Sequence, residues 1–199
     1  MSSGRPAVFF DRDGTLNEEV EFLSRPGQLV LIPGAARAVR AVNDSGMICC
    51  IISNQSGIAR GIFAEADLVP VHAKLERELA REGARIDRIY YCPHHPTAGL
   101  SPYNIVCECR KPFPGMLHKA EAELAVDLHH SFVVGDRLID IQAGQAAGGK
   151  GILVLTGWGM HARDEIAASG VTPDFIAASA VEAVEYILHG DKGEKTTDD

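Results

Sequence analysis

The chain has 199 residues and a formal net charge of −8 at pH 7. That length fits one domain with a substantial core, and the negative charge argues against binding to nucleic acid or to a membrane surface. No apolar run approaches the roughly 20 residues that a membrane helix needs, and the first residues lack the apolar segment of a secretory signal. We therefore expect a cytoplasmic protein whose thiols are reduced.

Short apolar strands alternate with helical segments along the chain. Strands are predicted at 7–10, 47–53, 86–91, 131–135, 151–155 and 175–179. Helices are predicted at 33–46, 64–82, 115–124, 139–147 and 181–189. The alternation predicts an α/β fold, a Rossmann-like doubly wound parallel sheet with right-handed crossovers. We expect a single domain over 1–190 and a flexible polar tail at 191–199.

Polar side chains follow four of the predicted strands. They are Asp11, Arg12 and Asp13, then Ser53, Asn54 and Gln55, then Arg110 and Lys111, and finally Asp136, Arg137 and Asp140. Ligands of such sheets bind beyond the carboxyl ends of the strands. Carboxylates suit Mg²⁺, and a lysine with oriented donors suits phosphoryl oxygens. The pattern predicts a site for a phosphate ester and magnesium.

Four stretches, DRDGTLN, ISNQSG, CRKP and VGDRLID, resemble the motifs of the haloacid-dehalogenase-like (HAD) superfamily of phosphatases. They occur in the same order and span nearly the whole chain. The resemblance implies a HAD-like fold with a minimal cap, in which Asp11 is the nucleophile that forms an aspartyl-phosphate and Asp13 is the general acid and base.

The same resemblance implies the residues that bind magnesium and phosphate. The Mg²⁺ ligands would be Asp11, the backbone carbonyl of Asp13, and Asp136, with Asp140 a looser match to a supporting acid. Ser53 and Lys111 would bind the transferred phosphoryl group, with further donors around Asn54 and Gln55. Arg137 would add charge beside the metal.

A second metal site is predicted in the loop at 92–109. Cys92, His94, Cys107 and Cys109 have the spacing of a tetrahedral structural zinc site, which leaves no position open for catalysis. Such a site would fix the long loop that precedes Lys111. His95 is a competing ligand by adjacency, and the superfamily pattern favours His94.

The stretches SNQSGIARG, YYCPHHP and CECRKPFPGML resemble a narrower group, the zinc-containing heptose-bisphosphate phosphatases. The resemblance implies a small sugar bisphosphate substrate whose second phosphate binds Arg110, with Arg60 a weaker candidate. Histidinol-phosphate phosphatase, or the phosphatase of another small sugar phosphate, is the alternative enzyme. A zinc-stabilised domain that only binds a phosphorylated ligand is the alternative from another class. We expect a monomer.

Two segments fit none of these roles. Residues 18–34 are expected to lie over the active site, but they indicate no particular substrate. The stretch GWGMHA at 157–162 fits the glycine pattern of dinucleotide-binding loops, yet it comes after the main sheet has been built. We expect a glycine-rich loop at the rim there.

Overall fold

Six parallel strands form one sheet in the computed structural model, which describes residues 4–190. The strands are β1 (Ala7–Phe10), β2 (Ile48–Asn54), β3 (Arg88–Cys92), β4 (Phe132–Gly135), β5 (Lys150–Val154) and β6 (Phe175–Ala177). Their order is β3-β2-β1-β4-β5-β6, which confirms the doubly wound α/β fold. The predicted flexible tail at 191–199 lies outside the described residues.

The helices lie between the strands, as the alternation predicts. They are α1 (Ala35–Asp44), α2 (Ser56–Ala59), α3 (Leu68–Ala80), α4 (Gly115–Leu124), α5 (Leu138–Ala146), α6 (Gly159–Ser169) and α7 (Ala180–His189). The sequence did not predict α2 or α6. Helix α3 begins later than predicted because Glu65–Asp67 form a separate 3-10 turn, in which the Asp67 carboxylate accepts from the backbone N–H of Ala64.

Both faces of the sheet are covered by helices. Along β1, Val8 and Phe10 pack into one core cluster with α1, α3 and α7, whereas Ala7 and Phe9 pack into a second cluster with α4 and α5. All four side chains are fully buried. This explains the continuous apolar sequence of β1, since a strand covered on both faces has no solvent side.

Strand β1 lies between β2 and β4, and chain order reverses between β1 and β4. The carboxyl ends of these strands therefore meet at the topological switch point, where open α/β sheets bind their ligands. The loop after β3 reaches the same edge. Tyr91 in β3 and Tyr103 in this loop both donate to the carboxylate of Glu65.

None of the helices within residues 4–190 has the length and apolar character needed to cross a membrane.

Candidate active site

Three acids meet at the switch point. Asp11 directly follows β1, and its N–H donates to the Val134 carbonyl at 2.8 Å, which ties it to β4. The carboxylates of Asp11, Asp136 and Asp140 are buried and offer oxygens that lie within 4.8 Å of one another. Burial, together with the neighbouring acids, raises the pKa of Asp11 to about 7 and that of Asp136 to about 8.

Lys111 supplies the positive charge of this cluster. Its Nζ lies 2.6 Å from Asp11 Oδ1 and 2.5 Å from Asp140 Oδ1, and it donates to the Ile52 carbonyl at 3.0 Å. Burial alone would lower the pKa of Lys111, but Asp11 and Asp140 raise it, so the ammonium is charged. Asn54 fixes the lysine backbone, because its side-chain amide accepts from the Lys111 N–H and donates to the Lys111 carbonyl, both at 3.0 Å.

The donor set fits magnesium. Asp136 Oδ1 is buried and has no hydrogen-bond partner among residues 4–190, although Asp136 Oδ2 accepts from the Trp158 N–H at 2.8 Å. A buried carboxylate oxygen without a partner is costly unless a cation binds it. Asp140 is already engaged, by Lys111 and by the Arg137 N–H at 3.0 Å. The geometry favours Asp11 and Asp136 as oxygen ligands, with Asp140 holding the lysine.

Asp13 is surrounded by hydrogen-bond donors. Arg12 donates to the Asp13 carboxylate from Nε at 3.1 Å and from Nη2 at 2.8 Å. The side-chain amides of Asn17 and Gln55 each donate to it at 3.0 Å. The Gln55 amide also donates to Ser53 Oγ at 2.7 Å. Burial would raise the pKa of Asp13, but the charge and hydrogen bonds of Arg12, with those of Asn17 and Gln55, lower it. These donors therefore favour the ionised form of Asp13.

The loop GWGMHA supports the acid cluster. Thr156 Oγ1 donates to the Gly14 carbonyl at 2.6 Å, and the Trp158 N–H binds Asp136. Gly157 has a φ of +52°, and a Cβ placed there would overlap Asp136 Oδ2 and lie 2.5 Å from Gly14 Cα. The expected rim loop ends at Trp158, and the rest of GWGMHA belongs to α6, which begins at Gly159. Gly157 permits close packing against the β1 loop.

A cavity of about 160 Å³ opens above these groups. Its wall is formed by Asp11, Asp13, Glu19, Glu21, Ser53, Asn54, Ser56, Arg110, Lys111, Arg137, Ile139 and Asp140. Arg110 Nη1 donates to the His94 carbonyl at 3.0 Å, which holds the guanidinium at the cavity. Arg60 is not part of this wall, and its guanidinium lies 3.2 Å from His95 Nε2.

The loop after β3 gathers three sulfurs and one imidazole. The sulfurs of Cys92, Cys107 and Cys109 lie 3.2 to 3.5 Å apart, and His94 Nδ1 lies 3.4 Å from Cys109 Sγ. A zinc tetrahedron with Zn–S bonds of about 2.3 Å separates its sulfurs by about 3.8 Å, so the cluster is close to that geometry. His95 faces Arg60 instead, and Cys49 and Cys50 are buried in β2.

Known proteins with similar sequences are phosphatases. The HAD-hydrolase-like family matches residues 108–183. The D-glycero-beta-D-manno-heptose-1,7-bisphosphate 7-phosphatase of Yersinia pestis is 40% identical over 172 residues, which cover 86% of this chain and 92% of the relative. This chain belongs to that family of HAD-like phosphatases. It is a phosphoric monoester hydrolase, and the alternative of a domain that only binds its ligand is wrong.

Two further relatives of this phosphatase agree with that assignment. The D-glycero-D-manno-heptose-1,7-bisphosphate 7-phosphatase of Thermosynechococcus vestitus is 43% identical and covers 92% of this chain and 95% of its own. A solved structure of D,D-heptose 1,7-bisphosphate phosphatase from B. bronchiseptica, complexed with magnesium and phosphate, has a TM-score of 0.81 and 34% identity. It covers 92% of this chain and 98% of its own.

The sequence assigned no role to three charged side chains of the phosphatase site. The sequence places Arg12 among the polar residues after the first strand, but it does not predict that the Arg12 guanidinium binds Asp13. Glu19 and Glu21 reach the cavity from the segment 18–34, and burial with the nearby charge of Asp13 raises the pKa of Glu19. The signal that could have found these two was a pair of acids shortly after the first motif.

Proposed function

We propose that this phosphatase removes the C7 phosphate of D-glycero-D-manno-heptose 1,7-bisphosphate in a magnesium-dependent reaction that proceeds through an aspartyl-phosphate. The names of its relatives support the substrate. The observation that carries the proposal is the convergence of Asp11, Lys111 and Arg110 on one cavity of about 160 Å³ beside the buried acids. We place the reaction in the cytoplasmic synthesis of ADP- or GDP-heptose for lipopolysaccharide or other surface polysaccharide.

Asp11 is the nucleophile of this mechanism. Its carboxylate attacks phosphorus and the sugar C7 oxygen leaves, so that the phosphoryl group becomes attached to Asp11. When bound by Asp11, Asp136 and the Asp13 carbonyl, Mg²⁺ supplies positive charge that offsets the repulsion between carboxylate and phosphate. Lys111 already contacts Asp11 at 2.6 Å, so its ammonium lies where charge develops on the transferred oxygens.

Asp13 handles the two proton transfers. It protonates the departing sugar oxygen, and it later takes a proton from the water that hydrolyses the aspartyl-phosphate. The donors around Asp13 lower its pKa, and the ionised form that they favour is the form needed for the second step. The first step requires a protonated Asp13, and the negative charge of a bound phosphate raises its pKa in the required direction.

Arg110 binds the second phosphate in this proposal. Its guanidinium lies at the cavity wall, and a guanidinium fork matches a phosphate dianion. Truncation to Ala should raise KM for the bisphosphate about 10- to 100-fold, the equivalent of one charge-assisted interaction. Arg60→Ala is the matched control, because Arg60 lies outside the wall and should change KM little. Equal effects of the two changes would contradict the assignment of Arg110.

Histidinol-phosphate hydrolysis is the second candidate, and one observation favours it. Glu19 and Glu21 give the cavity an acidic side, which is the lining expected for a cationic substrate. Comparing kcat/KM for heptose bisphosphate and histidinol phosphate decides between the two. A preference for histidinol phosphate would overturn the heptose assignment and leave the phosphatase chemistry intact.

Release of phosphate from a generic aryl phosphate tests the chemistry itself. With Mg²⁺ present, the unaltered chain should release phosphate and Asp11→Asn should not, because an amide does not attack phosphorus. Trapping of phosphate on the protein during turnover should likewise require Asp11. Equal turnover by the two proteins would refute the aspartyl-phosphate mechanism.

A further inference from the structure

Arg12, which stands between the two catalytic acids in the sequence, is a completely buried charged residue. Its side chain has no exposed surface. A buried guanidinium is costly unless its donors are paired. The polar contacts of the Arg12 side chain, within the described residues, go to Asp13 and to His72. The Arg12 guanidinium therefore binds the Asp13 carboxylate on one side and the His72 imidazole on the other.

His72 on α3 supplies the acceptor for the other end of the fork. Its Nε2 lies 3.3 Å from Arg12 Nη1. A guanidinium can only donate, so Nε2 must be the unprotonated nitrogen and the imidazole is neutral. Burial and the charge of Arg12 also lower the pKa of His72 to about 4. The imidazole packs against Tyr91 with ring centroids 5.9 Å apart, which fixes its plane.

We propose that Arg12, oriented by His72, is a positioning residue that sets the direction of the Asp13 carboxylate for its two proton transfers. The proposal rests on the mechanism proposed above. Asn17 and Gln55 each make a single neutral hydrogen bond to Asp13, one to each carboxylate oxygen, whereas the contact of Arg12 is the charged one. The two-nitrogen grip of Arg12 fixes the carboxylate plane, and the contact with His72 fixes Arg12 in turn.

Misplacement of the Asp13 carboxylate should affect the two chemical steps differently. In the first, the bond from phosphorus to the leaving oxygen breaks as Asp11 bonds to phosphorus, and a sugar alkoxide needs the proton of Asp13. An aryl leaving group departs without one. In the second, water bonds to phosphorus, gives its proton to Asp13, and releases inorganic phosphate from Asp11. A misdirected Asp13 should therefore slow the second step even with an aryl phosphate.

Rapid-mixing kinetics with an aryl phosphate and Mg²⁺ test this inference. Arg12→Met should release about one equivalent of aryl alcohol in a burst, followed by steady turnover about 100-fold slower than that of the unaltered chain. His72→Phe keeps a ring beside Tyr91 but removes the acceptor, and it should slow turnover about tenfold, again with a full burst and with kcat/KM within about twofold, because kcat/KM reports only the first step. His118→Phe is the matched ring control, because His118 is exposed on α4 and its side-chain contact within residues 4–190 is with Glu121. This variant should behave as the unaltered chain does.

Three outcomes would overturn the proposal. Unchanged turnover in His72→Phe does so, even if Arg12→Met fails to fold. A burst that shrinks in proportion to turnover does so as well, because it reports a smaller folded fraction instead of a slow second step. Restoration of full turnover by Arg12→Lys would show that charge suffices without the fork. Asp11→Asn keeps the two proposals apart, since a burst in that variant refutes the nucleophile assignment and says nothing against Arg12.

Discussion

Replacing Gly157 with Ala should displace Asp136, the acid proposed to bind Mg²⁺. Gly157 has a φ of +52°, where a side chain costs roughly 1–2 kcal/mol. The new Cβ would also lie 2.5 Å from Gly14 Cα and overlap Asp136 Oδ2. Carbon atoms pack at about 3.5–4.0 Å, so the loop or the acid must move by about 1 Å. A displacement of that size at a reacting centre costs on the order of 10²-fold in rate.

Gly170→Ala is the matched control for this change. Gly170 has a φ of +70°, but a Cβ there meets nothing within 4 Å. Both variants should lose about 2–8 °C in Tm from the backbone cost, and Gly157→Ala should lose more. Only Gly157→Ala should also need more Mg²⁺ for half-maximal phosphatase activity. If the two variants show the same Mg²⁺ dependence and the same kcat/KM, the packing of Gly157 against Asp136 has no bearing on metal binding.

Three more predictions concern the two metal sites. Cys107→Ser should lower both the zinc content and the Tm, because binding of a structural zinc contributes roughly 10 kcal/mol or more to folding. Cys50 is buried in β2, so Cys50→Ala should leave the zinc content, measured by metal analysis, unchanged. Lys111→Met leaves Asp11 and Asp140 without the ammonium that pairs with them, so the Tm without Mg²⁺ should fall. Added Mg²⁺ should then raise the Tm of this variant more than that of the unaltered chain. The same increase of Tm with Mg²⁺ concentration in both proteins would contradict this prediction. Asp136→Asn should weaken Mg²⁺ binding at least tenfold. It should nevertheless raise Tm in the presence of a chelator, because burial raises the pKa of Asp136 and its ionisation opposes folding at neutral pH. A lower Tm in chelator would contradict this cost of burying Asp136.

The repeating features of the fold were predictable from the sequence. Buried parallel strands give continuous apolar runs such as 7–10, so the strand count and the catalytic edge followed from the alternation. Helix α6 was not predicted because Gly157 and Gly159 surround Trp158 and conceal its start. The helical prediction at 64–82 began too early because a 3-10 turn has nearly the same residue preferences as the helix that follows.

The candidate site likewise contains residues that the sequence could predict and contacts that it could not. Residues defined by strand ends and short spacings, such as Asp11, Lys111 and the cysteines, could be chosen before any coordinates. Contacts between distant segments could not, because no local pattern links Arg12 to His72 or Asn54 to the backbone of Lys111. Glu19 and Glu21 belong to a segment without regular structure, and its path over the cavity depends on the whole fold.

The acids proposed to bind Mg²⁺ and the groups proposed to bind phosphate come from different halves of the sheet. The acids follow β1 and β4, whereas Ser53, Arg110 and Lys111 come from β2 and from the loop that the cysteines gather. In the proposed mechanism, affinity for the divalent cation and affinity for the anionic ester therefore originate in separate halves of one sheet. If the cysteine cluster holds zinc as proposed, removal of that zinc should leave affinity for Mg²⁺ intact and abolish affinity for the phosphate ester.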